Sequence, residues 1–353
     1  MSTKPRASRA TPFAAVGAAG GVGDTHGPGG VSLESLLGDP EVTSILVSVG
    51  GGIQIDRGGA IESVPAVGDG TGIAETVWQI ANTAVPPPPS DNPVVDVRLP
   101  DGTRVTALFP PITGGSVCAA IRKAAPPALS LAEIAGSGDV EAIVRAALAS
   151  RRNLLLAGEI SAVSTLLAAL ADALPAERRV VSIGMGARSR PGWIELGLGL
   201  DPAALARAAV AFRADHLVFA DAGGVELPDL LIGAARGQEG VIACMPARSA
   251  AEALVRLRAF TVGALGAPGF AALVSSTLDL IVLAGAVSPA GGVRILEIAE
   301  IQADGETLVP TSVARRPGGA RSFTSLEVPG VSSKLAAQIS ASADGLPEHL
   351  VRR

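Results

Sequence analysis

The first third of the chain has short runs of apolar residues, several of them alternating with polar ones, separated by glycine turns. Asp101-Gly102 lies between Val94–Leu99 and Thr103–Leu108, and an Asp-Gly pair between two such runs predicts a β-hairpin. Similar short runs around Ser44–Val49 and Ile53–Asp56 predict two more strands. We therefore expect an α+β unit that is rich in antiparallel strands and covers residues 31–123.

After residue 138 the pattern changes to continuous apolar runs that alternate with helical segments. Uninterrupted apolar strands of this kind predict a parallel sheet covered by helices on both faces, which makes the fold class α/β. The six runs are Asn153–Ala157, Val180–Ile183, Leu217–Ala220, Val241–Met245, Leu280–Leu283 and Arg294–Ala299.

Turn-forming residues suggest the boundaries. Residues 1–30 are rich in glycine and alanine, which predicts a disordered leader. Residues 124–138 contain Pro126-Pro127 and two glycines, and we expect a linker there. The α/β domain would then span 139–305. The remaining residues, 306–353, predict a partly helical tail with no clear place in the sheet.

Composition excludes several classes of function. The 353 residues carry a net charge of −5 without a dense basic run, which argues against nucleic acid as a partner. Two cysteines and three histidines are too few for a zinc site of usual spacing. No apolar run reaches the roughly 20 residues of a membrane span, so we expect a cytoplasmic protein. His216, next to Asp215, is expected at the surface or in a capping role.

The turn after the first core strand has the context of a P-loop but not its residues. A P-loop requires G-x-x-x-x-G-K-[ST] between a strand and a helix, so that backbone N–H groups and a lysine hold phosphate and a hydroxyl holds magnesium. Here the segment is Gly158–Thr165, and a helix is expected over Val163–Ala173. If Ser164 supplies the hydroxyl, Val163 replaces the lysine, and Glu159 adds a negative charge to the turn. Taken alone, the segment is more consistent with an ordinary strand-to-helix turn.

Motifs in the same order along residues 31–301 resemble the CpaF/TadA-type secretion ATPases. Leu36–Val47 resembles their opening "LLxDPxVTxIxVN", and Val97–Val105 resembles "RLPDGSRV". Ile121–Lys123 matches "IRK", and Arg152–Gly158 is similar to "xxNILVSGG", the strand before their Walker A motif. Arg213–Gly224 lines up with their Walker B segment "RPDRIIVGEVRG".

The resemblance implies a RecA-like P-loop NTPase core with a smaller α+β domain before it. It also implies where nucleotide contacts would lie. The nucleotide-binding positions are Gly158, Ser161, Ser164 and Thr165, Asp221 is the weak catalytic candidate at the Walker B position, and Ser164 with Asp221 are the candidate ligands of Mg²⁺.

Most of the family's catalytic residues are missing from the matching positions. Val163 stands at the lysine position, and Pro246 at the histidine position. The acidic box falls on 184–189, which has no acid, and the basic segment falls on 194–198, which has no arginine. A lysine from elsewhere, Lys123 or Lys334, could in principle substitute.

Three functions remain open from the sequence. The first is a pseudo-ATPase that acts as a structural or regulatory subunit of a type II/IV secretion, pilus-assembly or conjugal-transfer-like machine. The second is an active but atypical hexameric ATPase. The third is an unrelated α/β binding protein, and the ordered motifs argue against it. The resemblance implies ATP and Mg²⁺ as family ligands, a homo- or hetero-hexamer, and a platform protein at the inner face of the cytoplasmic membrane as partner.

Overall fold

The computed structural model describes residues 32–57, 60–65, 70–84, 87–123, 129–185, 189–190, 192–196, 201–220, 224, 226–286, 292–316, 326–340 and 345–352. The predicted leader lies outside these residues. Two compact units make up the chain, Met1–Ala124 and Ala125–Arg353, and each has its own hydrophobic core.

The first unit is a six-stranded antiparallel sheet with two helices. Its strands are ordered β3-β2-β1-β6-β5-β4. In chain order the elements are α1 (Leu33–Gly38), β1 (Val42–Val47), β2 (Ile53–Arg57), β3 (Ala60–Val64), α2 (Gly70–Ala81), β4 (Val94–Arg98), β5 (Arg104–Leu108) and β6 (Cys118–Arg122).

The predicted hairpin is confirmed as β4 and β5, which pair from Val94 with Leu108 to Arg98 with Arg104. Gly102 has a φ of +86° and donates its N–H to Leu99 O over 2.9 Å, which explains the glycine at this turn. Because side chains alternate along a strand, one face of the sheet carries the apolar residues and packs against α1 and α2.

The second unit contains an eight-stranded sheet in the order β14-β13-β12-β7-β11-β10-β8-β9. Six neighbouring strands run parallel to one another, namely β12, β7, β11, β10, β8 and β9. Strand β13 pairs antiparallel with β12, and β14 pairs antiparallel with β13. The strands are β7 (Leu154–Gly158), β8 (Val180–Ile183), β9 (Ile194–Leu196), β10 (His216–Phe219), β11 (Val241–Pro246), β12 (Leu280–Ala286), β13 (Val293–Asp304) and β14 (Thr307–Arg315).

Helices cover both faces of this sheet. On β7, Leu154 and Leu156 face one helical layer, and Leu155 and Ala157 face the other. The first layer is formed by α3 (Leu131–Ala135), α4 (Gly138–Ala149), α5 (Ile160–Ala173) and α10 (Ser333–Ser340). The second is formed by α6 (Pro202–Ala211), α7 (Leu227–Ala235), α8 (Ala250–Leu265) and α9 (Ala267–Thr277). Burial on both faces is the reason that the central strands are continuously apolar.

Two segments have more structure than the sequence pattern suggested. Helix α3 lies inside the segment expected to be a linker, and its Leu131 and Ile134 are buried. The segment 307–315, which had no clear place in the sheet, forms the edge strand β14. It contains Pro310, and a proline weakens the sequence signal of a strand but is tolerated at a sheet edge.

Candidate functional site

The candidate site lies at the carboxyl end of β7, the fourth strand of the eight-stranded sheet, which has parallel neighbours on both sides. All five residues of β7 are buried. Its last residue, Gly158, has a φ of +147°, and a Cβ atom there would lie 2.1 Å from the carbonyl oxygen of Ala284 on β12. The glycine is therefore required by the close approach of two strands and by its backbone conformation.

Only Glu159 separates β7 from helix α5. Its backbone is extended, with φ −66° and ψ +143°, and α5 begins at Ile160. The prediction that the helix begins at Val163 was therefore wrong by three residues. Residues 160–165 contain no glycine, and the alanine at 162 favours a helix, so nothing in the sequence holds this segment open as a loop.

The helix places the predicted nucleotide-binding side chains in its first two turns. Ser161 is exposed and Ser164 is half-buried. The hydroxyl of Thr165 donates to the carbonyl oxygen of Ser161 over 2.9 Å, a contact within the helix. Val163 is 5% exposed and contributes to the core on the α5 side of the sheet.

This geometry does not fit a nucleoside triphosphate. A P-loop holds phosphate in a wide turn lined by backbone N–H groups, with a lysine beside it. Here the connection is one residue long, the lysine position is a buried valine, and the connecting residue is an exposed glutamate. That carboxylate would repel the phosphates.

Asp221, the candidate Walker B residue and Mg²⁺ ligand, lies outside the described residues. The structure describes the strand before it: β10 ends at Phe219, and β11 lies between β10 and β7. Among the residues that are described, no group of three or more His, Cys, Asp or Glu side chains could hold a metal ion.

Lys334, the candidate lysine of the second unit, is not placed beside Gly158. Lys123 belongs to the first unit, where its Nζ donates to Asp39 O over 2.6 Å. Lys334 lies close enough to Asp279 for its charge to oppose the burial that raises the pKa of that carboxyl. Asp279 immediately precedes β12, at the amino end of the parallel strands, whereas Gly158 is at their carboxyl end.

A depression of about 640 Å³ lies beside Gly158 and is bordered by Glu159, Arg248 and Arg315. Both arginines are already paired, Arg248 with Glu252 at 3.0 Å and Arg315 with Glu327 at 2.8 Å. A third arginine, Arg316, also borders the depression. It donates to Ile295 O and Ala135 O and makes no ion pair with a carboxylate of the described residues, so it is the one of the three arginines without an acidic partner.

Two acidic residues at this end of the sheet were missed by the sequence analysis. The carboxylate of Glu195 on β9 accepts the N–H of Met185 over 2.9 Å and also accepts the hydroxyl of Ser182. It therefore brings an acid to the end of β8, next to the segment 184–189 that has none of its own. A contact between residues ten positions apart leaves no signal in the local sequence.

The second missed acid is Glu226, which is fully buried. It immediately precedes α7, and its Oε1 accepts the N–H of Gly224 over 3.0 Å. An acid at the start of a helix is a recognisable signal, but burial of its side chain could not be inferred from the sequence.

No helix in the described part of the chain combines the length and the apolar composition needed to cross a bilayer.

Comparison with known proteins supports the fold and the resemblance. No protein-family model matches the chain. The "Putative conjugal transfer protein Rv3659c" of Mycobacterium tuberculosis (strain ATCC 25618 / H37Rv) is 28% identical over 306 residues, which cover 79% of this chain and 86% of the relative.

Two solved structures share the architecture. The Legionella pneumophila ATPase DotB matches 76% of this chain and 79% of its own with 15% identity and a TM-score of 0.52. The Yersinia pseudotuberculosis ATPase DotB matches 80% and 84%, with 12% identity and a TM-score of 0.52. The predicted fold class, an α/β core of the RecA-like type preceded by a smaller α+β domain, is confirmed. The predicted resemblance to secretion ATPases is confirmed as well.

Proposed function

We propose that this chain is a secretion- or pilus-assembly ATPase homologue that no longer hydrolyses ATP and acts as a structural or regulatory subunit. The observation that carries the proposal is the start of α5 at Ile160, one residue after β7. Since phosphate binding in this fold depends on the loop between strand and helix, a chain without that loop loses both the cradle and the lysine.

The machine is proposed from the relatives. A mycobacterial relative is named a conjugal transfer protein, and the motifs in the first unit resemble secretion ATPases. We propose that the chain joins a homo- or hetero-hexamer in the cytoplasm, at the inner face of the cytoplasmic membrane beside a platform protein. Both cores are intact, so the surfaces for assembly could be kept while catalysis is lost.

The test is a titration of the purified full-length chain with a fluorescent ATP analogue and Mg²⁺, followed by an assay of phosphate release. We expect no saturable binding at micromolar concentrations of the analogue. We also expect no release of phosphate above the rate measured in buffer alone. Micromolar binding or turnover would overturn the proposal and support the active, atypical ATPase.

A companion variant tests whether restoring two P-loop residues is enough to restore nucleotide binding. Val163→Lys with Ala162→Gly restores two P-loop residues, but both native side chains are buried. We expect the variant to be less stable than the parent, because a lysine would replace a core valine, and still not to bind the analogue. Recovery of binding in a variant that is as stable as the parent would contradict the geometry described above.

A further inference from the structure

Five arginines gather where the chain enters three parallel strands, at the edge of the sheet opposite Gly158. We call them the amino-edge arginine cluster. Arg151 and Arg152 precede β7, Arg178 and Arg179 precede β8, and Arg213 precedes β10. Since the amino ends of neighbouring parallel strands share one edge of a sheet, these connections bring the five side chains to one surface.

Three carboxylates pair with the cluster and leave it with excess positive charge. Arg151 pairs with Glu239 at 2.7 Å and with Asp215 at 3.7 Å. Arg152 lies 3.9 Å from both Glu239 and Asp279.

The other three arginines are less completely paired. The side chain of Arg179 is 74% exposed and approaches Asp215 at 3.7 Å. Arg178 donates to Ala149 O. Neither Arg178 nor Arg213 pairs with a carboxylate of the described residues, and Arg213 is exposed. The cluster thus offers guanidinium groups to solvent.

Two members of the cluster have a backbone that disfavours arginine. Arg151 has a φ of +55° and Arg213 a φ of +48°, and they are the two non-glycine residues with positive φ in the part of the chain that the structure describes. Each follows the last residue of a helix and its cap, a position that glycine usually occupies. A residue kept in an unfavourable conformation points to a role for its side chain.

The backbone contacts of the cluster fix its arrangement. Arg179 Nη2 donates to Arg213 O over 3.2 Å, and the N–H of Arg179 donates to Asp215 Oδ2 over 3.0 Å. These contacts join the segment that enters β8 to the segment that enters β10, so the exposed residues Arg179 and Arg213 lie next to each other.

We propose that the amino-edge arginine cluster is a docking surface for an acidic peptide segment of a partner protein. Guanidinium groups bind carboxylates through paired hydrogen bonds, and the excess of arginine supplies the complementary charge. Nucleic acid and anionic membrane are less suitable partners, because the whole chain carries a charge of −5 and three carboxylates are interspersed among the arginines. The proposal does not depend on nucleotide binding.

The test uses a fluorescein-labelled octaglutamate peptide and the full-length chain, with binding followed by fluorescence anisotropy. Wild type should bind the peptide, and binding should weaken as salt is raised. Arg179→Ala with Arg213→Ala should weaken binding about tenfold or more. The matched control is Arg207→Ala with Arg256→Ala, which removes the same charge from exposed arginines on α6 and α8 and should leave binding almost unchanged.

Several outcomes would overturn the proposal. One is no binding of octaglutamate by wild type, and another is an equal loss in the control variant. Tighter binding of an oligothymidylate or of phosphatidylglycerol vesicles would assign the surface to nucleic acid or lipid instead. Self-association that is lost in the Arg179→Ala/Arg213→Ala variant would assign it to a second copy of the chain.

The variant Arg213→Gly distinguishes the effect of Arg213 on peptide binding from its effect on the stability of the fold. Glycine adopts the observed backbone without strain, so we expect the midpoint of thermal unfolding to rise by about 2–4 °C while octaglutamate binding weakens. Arg213→Lys keeps the charge and should retain most of the binding. If Arg213→Gly bound the peptide as wild type does, Arg213 would have no part in recognition.

Discussion

Gly158 joins strand β7 to helix α5 and lies against the neighbouring strand β12. A Cβ atom at this position would overlap Ala284 O at 2.1 Å and approach Val163 Cγ2 at 3.2 Å. Because the first of these atoms belongs to the backbone of a central strand, it cannot move aside without shifting the sheet.

We therefore expect Gly158→Ala to destabilise the second unit by at least about 2 kcal/mol. Gly263→Ala is the matched control, since Gly263 lies in helix α8 with nothing within 4 Å of its Cβ position. It should stabilise the protein by about 0.5–1 kcal/mol, because alanine favours a helix. Urea unfolding measures both, and a neutral Gly158→Ala would contradict the packing described here.

His216 was expected at the surface or in a capping role, and the structure corrects this, because its side chain is fully buried at the start of β10. Burial, with the nearby Arg178 cation, lowers the pKa of His216 from 6.5 to about 4. The unfolded chain therefore binds a proton below pH 6.5 that the folded chain does not accept until about pH 4.

The stability from neutral His216 should be fully present above pH 6.5 and be lost progressively as the pH falls towards 4. The loss should amount to about 3 kcal/mol. Urea unfolding of wild type and of His216→Leu across this range isolates the contribution from those of the carboxyl groups. A difference between the two proteins that stays constant with pH would show that His216 is not titrating as described.

At the scale of elements, the start of α5 decides the function proposed for the chain. Glu159 occupies the N-cap position of α5, yet its side chain makes no capping hydrogen bond. The first N–H groups of an α-helix lack partners within the helix. An aspartate at the N-cap reaches them, whereas the longer glutamate does not do so here.

Glu159→Asp should therefore stabilise the second unit by about 0.5–1 kcal/mol, and Glu159→Ala should not. Both variants are compared by urea unfolding, and the aspartate keeps the charge of the parent. If residues 160–162 formed an open phosphate-binding loop instead of a helix, an aspartate at 159 would have no helix N-terminus to cap. Glu159→Asp and Glu159→Ala would then be equally stable.

Strands and turns could be predicted from the sequence where their signals are local. The Asp101-Gly102 hairpin and the apolar strand β7 are set by adjacent residues, and both were predicted. The helix start at Ile160 was not predicted, because the resemblance to P-loop ATPases suggested a loop where the residues themselves favour a helix. Contacts between distant residues, such as Glu195 with Met185 or the burial of Glu226, depend on the tertiary fold and leave no local pattern.

At the scale of the whole molecule, the C-terminal segment completes the second unit. The buried carboxylate of Glu300 on β13 accepts the N–H of Ser332 over 2.8 Å and its hydroxyl over 2.6 Å, and it pairs with Arg352. Val331, Leu335, Ile339 and Leu350 then pack into the core beside α3 and α4. The residues that the sequence suggested were a tail are thus part of the core.

The chain offers a direct way to measure this, because each unit contains one of its two tryptophans, Trp78 in the first and Trp193 in the second. In a Trp78→Phe background, fluorescence reports the unfolding of the second unit alone. Glu300→Ala should lower the stability reported by Trp193 by about 2–3 kcal/mol, because Arg352 and Ser332 lose their partner.

The first unit supplies the internal control for this measurement. In a Trp193→Phe background, Glu300→Ala should leave the Trp78 transition unchanged, since the two units have separate cores. Glu306→Ala, which removes an exposed glutamate from the β13–β14 turn, should change the Trp193 transition by no more than about 0.5 kcal/mol. If Glu300→Ala and Glu306→Ala behaved alike, the C-terminal segment would not be held to the second unit by Glu300.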